Sequence, residues 1–127
     1  MNYINSASLG PAAGPFSTAV SVNNFLFLSG QVGTDLSGQL ADSFEKEVVR
    51  VMENIGIILR ENYLGYQDIA SVTVYLKDMR KFQVLNEIYS KYFNGSFPTR
   101  TCIAVADLPV NANVEITITA SIKNTVG

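Results

Sequence analysis

At 127 residues, 47% of them apolar and 16% charged, with a formal charge of −2, the chain has the composition of one globular domain, neither disordered nor fibrous. No apolar run approaches the roughly 20 residues that a membrane-spanning helix needs, and the basic residues are too thinly spread to make a footprint for a phosphate backbone. The chain has no histidine, which excludes Ser-His-Asp triads, Cys-His pairs and HExxH zinc sites. Neither a phosphate loop nor a dinucleotide fingerprint is present, so any catalysis falls to carboxylates, arginine, hydroxyls, backbone groups or water.

Residues 2–15, rich in Asn, Ser, Ala, Gly and Pro, read as an irregular lead-in ending at Gly14-Pro15. A strand is predicted over 16–22 and another over 25–30, joined by an Asn23-Asn24 turn. Phe25-Leu26-Phe27-Leu28 is apolar at every position, so both faces of that strand call for cover. Gly30, Gly33, Asp35, Ser37 and Gly38 then mark a loop. The first helix is predicted with Asp42 as its cap, Glu45 completing a capping box, and Gly65 ending it. Its buried stripe is Phe44, Val48, Met52, Ile55 and Leu59. A strand over Ala70–Lys77 follows, then a second helix from about Asp78 with Phe82, Leu85, Tyr89 and Phe93 on one face, stopped by Asn94-Gly95. Thr99–Ala106 reads as another strand. The last strand alternates Val114, Ile116, Ile118 and Ile122 against Glu115, Thr117, Thr119 and Ser121.

This order predicts a single α+β domain over residues 1–127, with two helices on one face of a mixed sheet. Two helices cannot cover the opposite face as well, so the apolar part of that face implies a partner subunit. The first basic residue is Lys46, which gives the N-terminus neither a secretory nor a transit-peptide charge pattern. The single Cys102 has no internal disulfide partner. Both features lead to the expectation of a cytoplasmic protein. Arg100 and Glu115 stand out among the strand residues. If Val105 and the isoleucines face the helices, alternation sets Arg100 and Glu115 together on the other face. By pattern alone, a structural ion pair or a solvated edge explains the two more simply than a site does.

Several stretches occur in the order found in one family: Gly14-Pro15-Phe16-Ser17, Leu28-Ser29-Gly30-Gln31, Val74-Tyr75-Leu76-Lys77-Asp78, Asn86, Phe97-Pro98-Thr99-Arg100-Thr101-Cys102, Leu108-Pro109 and Val114-Glu115-Ile116. They make the chain resemble the RidA family, also called YjgF or L-PSP, over nearly its whole length. The resemblance implies a chorismate-mutase-like fold, a homotrimer with three intersubunit clefts, and no cofactor or metal. It also implies hydrolysis of 2-aminoacrylate-type enamines and imines to 2-keto acids. Alternatives of other classes are an endoribonuclease, the activity behind the L-PSP name, and a non-catalytic trimer that binds small carboxylates or client proteins. The acidic balance and the missing histidine speak against the ribonuclease.

Carried over by residue, the resemblance makes Arg100 the group that holds the substrate carboxylate, a task suited to a planar guanidinium with two parallel donors. Glu115 becomes the group that positions water and moves protons. Cys102, Ser29, Gly30 and Asn86 become cleft residues. Cys102 serves there by packing and backbone contact, since no histidine or evident lysine stands by to make it a thiolate. The chain departs from the family at Phe16, where family deaminases carry tyrosine, so the ring is kept and its hydroxyl is lost.

Overall fold

A computed structural model of the chain describes residues 1–122; residues 123–127 of the expected domain lie outside it. Helix α1 spans Phe44–Glu61, and its cap falls one residue later than expected, at Ser43 in place of Asp42. Ser43, in extended conformation, accepts a hydrogen bond from the Lys46 amide at 3.2 Å. Asp42 instead pairs with Lys46 on the surface at 3.3 Å. The buried stripe is wider than the predicted one, taking in Val51 and Ile58 beside Val48, Met52, Ile55 and Leu59. Asn62 caps the C-terminus, and Tyr63 takes the left-handed position (φ 63°) expected of a glycine. Gly65 lies beyond and opens a 3-10 turn over Tyr66–Asp68, its amide donating to Asp68 Oδ2 at 2.9 Å.

Among the described residues, seven strands form one mixed sheet: β1 (Asn2–Ile4), β2 (Ala19–Val22), β3 (Phe25–Leu28), β4 (Gln31–Val32), β5 (Ile69–Leu76), β6 (Thr99–Ala104) and β7 (Val114–Ser121). Their order is β1-β2-β3-β7-β5-β6, with β4 added alongside β7. The β2–β3 hairpin turns at Asn23 and Asn24, both at positive φ as a tight primed turn requires. Among these strands only β5 and β6 are parallel. The crossover that parallel pairing demands is supplied by helix α2 (Phe82–Ser90), entered through a 3-10 turn at Met79–Lys81 that Asp78 caps. The second helix is therefore shorter than predicted at both ends, and Phe93 lies past it.

The helices cover one face. Val72, Val74 and Leu76 of β5 pair with Ile118, Ile116 and Val114 of β7, and all six are buried beneath α1 and α2 with Leu26, Leu28 and Ala19. The expected assignment of the isoleucine face holds. The other face carries Ser71, Thr73, Tyr75, Glu115, Thr117, Thr119 and Ser121, with Phe25 and Phe27 about 43–44% exposed on it. Among the described residues no helix is long and apolar enough to cross a membrane.

Two local features set the ground for the site. Phe27 pairs with Thr119 and Gln31 with Ile116, which leaves one surplus residue on the β3–β4 side, a bulge at Ser29-Gly30. The bulge reverses the alternation, so Gln31 is paired with the core-facing Ile116. The start of β7 is held by the buried carboxylate of Glu47 on α1. It accepts from the Asn113 amide (2.7 Å), Asn113 Nδ2 (2.8 Å) and the Val114 amide (3.3 Å). Gly33 makes room for it, because a Cβ there would lie 2.6 Å from Glu47 Cγ.

Candidate functional site

The predicted site residues fall into two groups on opposite faces of the sheet. Around Glu115, the bulge brings Gly30 against the carboxyl, with Ser29 beside it in the chain. A Cβ on Gly30 would stand 2.6 Å from Glu115 Oε2, so the carboxyl group occupies the space that a side chain at position 30 would take. Tyr75 and Val32 flank Glu115 on the neighbouring strands. Ser29 is committed locally: its hydroxyl donates to Ser17 O at 2.6 Å and its amide to Thr18 O at 2.9 Å. Glu115 is half-buried and has no hydrogen bond or ion pair among the described residues. Burial without compensation pushes its carboxyl above the ordinary glutamate value, the direction that makes a carboxylate a better base near neutrality. Phe16, 55% exposed at the end of the lead-in, lines a cavity together with Gly30.

Arg100 lies elsewhere. Parallel pairing sets it beside Val72, and Cys102 beside Val74, on the face that the helices cover. The expectation that Arg100 and Glu115 share a face is thus overturned; Ile103, which by alternation shares the face of Val105 that was expected to point inward, faces out, 42% exposed. The reason is α2. Its Phe82 and Tyr89 rings receive the guanidinium at 5.4 and 5.0 Å from their centroids, a cation–π seat that lets a charged group sit under a helix at the sheet edge. Arg100 makes no hydrogen bond or ion pair among the described residues, so its donors remain open to a ligand.

A cavity of about 270 Å³ adjoins it, walled by Asn86, Tyr89, Ser90, Phe97, Pro98 and Arg100. Two polar atoms there, Asn86 Oδ1 and Tyr89 Oη, are buried with no hydrogen-bond partner among the described residues. Buried polar groups are rarely left so in a finished site. Cys102 packs on the core edge. Burial raises its thiol pKa against a smaller opposing pull from Arg100, which disfavours the thiolate. The structure thus groups Arg100 with Asn86, and Glu115 with Ser29 and Gly30. Sequence reading missed the aromatic seat: Phe82, Asn86 and Tyr89 were legible as one helical face at steps of four and three, but the two rings read as core. Among the described residues, no cluster of three or more His, Cys, Asp or Glu could hold a metal ion.

Two helices laid on one face of a mixed sheet, whose other face stays open, define an α+β domain of the YjgF-like class. A profile of the family described as Endoribonuclease L-PSP matches residues 7–122. A RutC family protein of Aquifex aeolicus (strain VF5) is 42% identical over 123 residues, which cover 94% of this chain and 98% of the relative. The chloroplastic Reactive Intermediate Deaminase A of Arabidopsis thaliana is 38% identical over 120 residues, 92% of this chain and 64% of that protein. The crystal structure of RidA from the Antarctic bacterium Psychrobacter sp. PAMC 21119 superposes with a TM-score of 0.91 at 32% identity, covering 96% of this chain and all of the other. The chain belongs to the RidA/YjgF/L-PSP family.

Proposed function

We propose that this chain is a cofactor-free deaminase that hydrolyses small 2-imino acids to 2-keto acids and ammonia, in clefts completed between the subunits of a homotrimer. The observation that carries this reading is a pair of unsatisfied half-sites. Among the described residues Glu115 and Arg100 each lack an ionic partner, each is half-buried, and the sheet lies between them. One chain cannot bring them to one substrate; a second copy, seated on the open face with its exposed Phe25, Phe27 and Ile103, can. The name of the Arabidopsis relative supports the same chemistry.

The reaction follows from the groups present. 2-Aminoacrylate gains a proton on its methylene carbon and becomes the iminium of 2-iminopropanoate. Arg100 of one subunit holds the carboxylate by two parallel charge-assisted bonds, which fixes the adjacent iminium carbon. Glu115 of the next takes a proton from water as its oxygen bonds to that carbon, and the C=N pair moves onto nitrogen to give a carbinolamine. The same carboxyl returns the proton to nitrogen. The C–N bond then breaks as the C=O forms, the Glu115 carboxylate takes up the hydroxyl proton, and ammonia leaves. An iminium carbon is already electrophilic, so one base and correct placement suffice.

Purified protein is to be incubated with freshly generated 2-aminoacrylate and, separately, with RNA, and its mass measured by sedimentation at micromolar concentration. The proposal expects keto acid and ammonia formed faster than in buffer, intact RNA, and about three times the chain mass. RNA cleavage without imine hydrolysis would place the activity with the family's other name, and a stable monomer would remove the shared cleft.

A further inference from the structure

We infer that the cavity behind the lead-in segment, which shares Phe16 and Gly30 with the surroundings of Glu115, is a binding site for a monocarboxylic acid with a compact apolar body. It measures about 450 Å³, within the range of small-molecule sites; Gly30 brings it next to Glu115, but neither Glu115 nor Arg100 is itself among its walls. It lies between the lead-in, the loop after the bulge, and α1.

Its charged group is Arg50. Of the four arginines in the chain, Arg80 is paired with Asp78, and Arg60 reaches the Tyr66 hydroxyl. Arg50 and Arg100 are left without a hydrogen bond or ion pair among the described residues. Both are half-buried, and each lines a cavity. A guanidinium kept from bulk water with its donors unused is suited to bidentate capture of a carboxylate.

The remaining walls select what else the ligand carries. Leu9, Phe16 and Ile57 supply apolar surface, and Thr18, 7% exposed, contributes a hydroxyl with no protein partner among the described residues. Asp35 stands at the rim, with its Oδ1 taken up by the Ser37 amide, the Ser37 hydroxyl and the Gln39 amide at 2.9, 2.6 and 3.0 Å. Its negative charge so near Arg50 disfavours a dianion and leaves room for one carboxylate. Asn54 is also committed, donating to Val32 O and Thr34 O at 3.2 and 3.3 Å, which makes this wall rigid. Arg50 is the one cation among the lining residues, and Leu9, Phe16 and Ile57 are large apolar ones, so the cavity suits a singly charged acid whose hydrocarbon part packs against them.

The test measures binding alone, so it does not depend on imine hydrolysis. Phenylacetate and its neutral isostere phenylacetamide are titrated into the full chain, with amide resonances read by NMR, for wild type, Arg50→Gln and Arg100→Gln. Saturable shifts are expected at Thr34, Asn54 and Ile57 with phenylacetate. Affinity read at those three amides should fall at least tenfold in Arg50→Gln, and phenylacetamide should not saturate them. Phenylacetamide binding as well as phenylacetate, loss of binding in Arg100→Gln rather than Arg50→Gln, or no saturation in folded wild type would each overturn the assignment.

Discussion

Adding a single methyl group at Gly30 tests whether the placement of the Glu115 carboxyl limits turnover. In Gly30→Ala the new Cβ would meet Glu115 Oε2 at 2.6 Å, Cδ at 2.8 Å and Cγ at 3.1 Å. Carbon contacts settle near 3.5–4.0 Å, so the carboxyl group must retreat by roughly 1 Å. It is free to do so, as the end of a side chain with no hydrogen bond to hold it. Gly30 does not use positive φ, so alanine fits the backbone without strain. The strain is thus relieved at the reacting group and not in the fold. A displacement of about 1 Å at such a group lowers the rate on the order of 10²-fold, or about 2.7 kcal/mol of barrier. Steady-state hydrolysis of 2-iminopropanoate should show kcat falling by about that factor with KM little changed, and thermal melting should stay within a few degrees of wild type. On a Glu115→Gln background the same alanine should add almost nothing, since its target is already gone. A folded Gly30→Ala with wild-type kcat would refute the reasoning, and so would full additivity in the double variant.

The other predictions address the same architecture from different sides. Arg100→Lys keeps the charge and loses the two-pronged geometry; KM for 2-imino acids should rise by about tenfold or more, the equivalent of one charge-assisted bond of roughly 1.5–3 kcal/mol, with kcat changed less. Burial raises the Glu115 pKa in the folded state, so as pH climbs past the ordinary glutamate value the unfolded chain loses its proton first and the folded state loses stability relative to it. Glu115→Gln should therefore match wild type in chemical denaturation at low pH and overtake it as pH approaches neutrality, while wild-type turnover falls as pH drops through the raised pKa. Glu47→Gln replaces one of the two acceptor oxygens facing Asn113 and Val114. It should cost about 1.5–3 kcal/mol, a melting point lower on the order of 5–10 °C, and an unchanged melt would mean that this buried carboxylate does not anchor β7. Phe16→Tyr adds one oxygen to a ring that is 55% exposed; turnover should rise with melting unchanged, and a loss of stability without kinetic gain would show that the added hydroxyl finds no partner.

Much of this molecule is written in local pattern. The α1 stripe, the alternation of β7 and the Asn23-Asn24 turn are legible because helical and strand periods and positive-φ tolerance depend on near neighbours in the chain. The motifs that pointed to Arg100, Asn86, Gly30 and Glu115 were legible as well. The open sheet face was inferable from counting two helices against a strand, Phe25–Leu28, that is apolar at every position. β1 and β4, at three and two residues, carry too little alternation to register, and the bulge that reverses the sheet at Ser29-Gly30 exists only through its pairing with β7.

The side on which Arg100 stands was decided by tertiary structure alone. Thr99-Arg100-Thr101-Cys102-Ile103-Ala104 mixes polar and apolar residues on both of its faces, so its own alternation names neither as inward. That choice belongs to the register with β5, which sets Arg100 beside the core residue Val72, and to the Phe82 and Tyr89 rings of α2, which accept the charge there. An edge strand takes its orientation from the neighbour it pairs with, and the energy of that pairing resides in contacts between residues far apart in the chain.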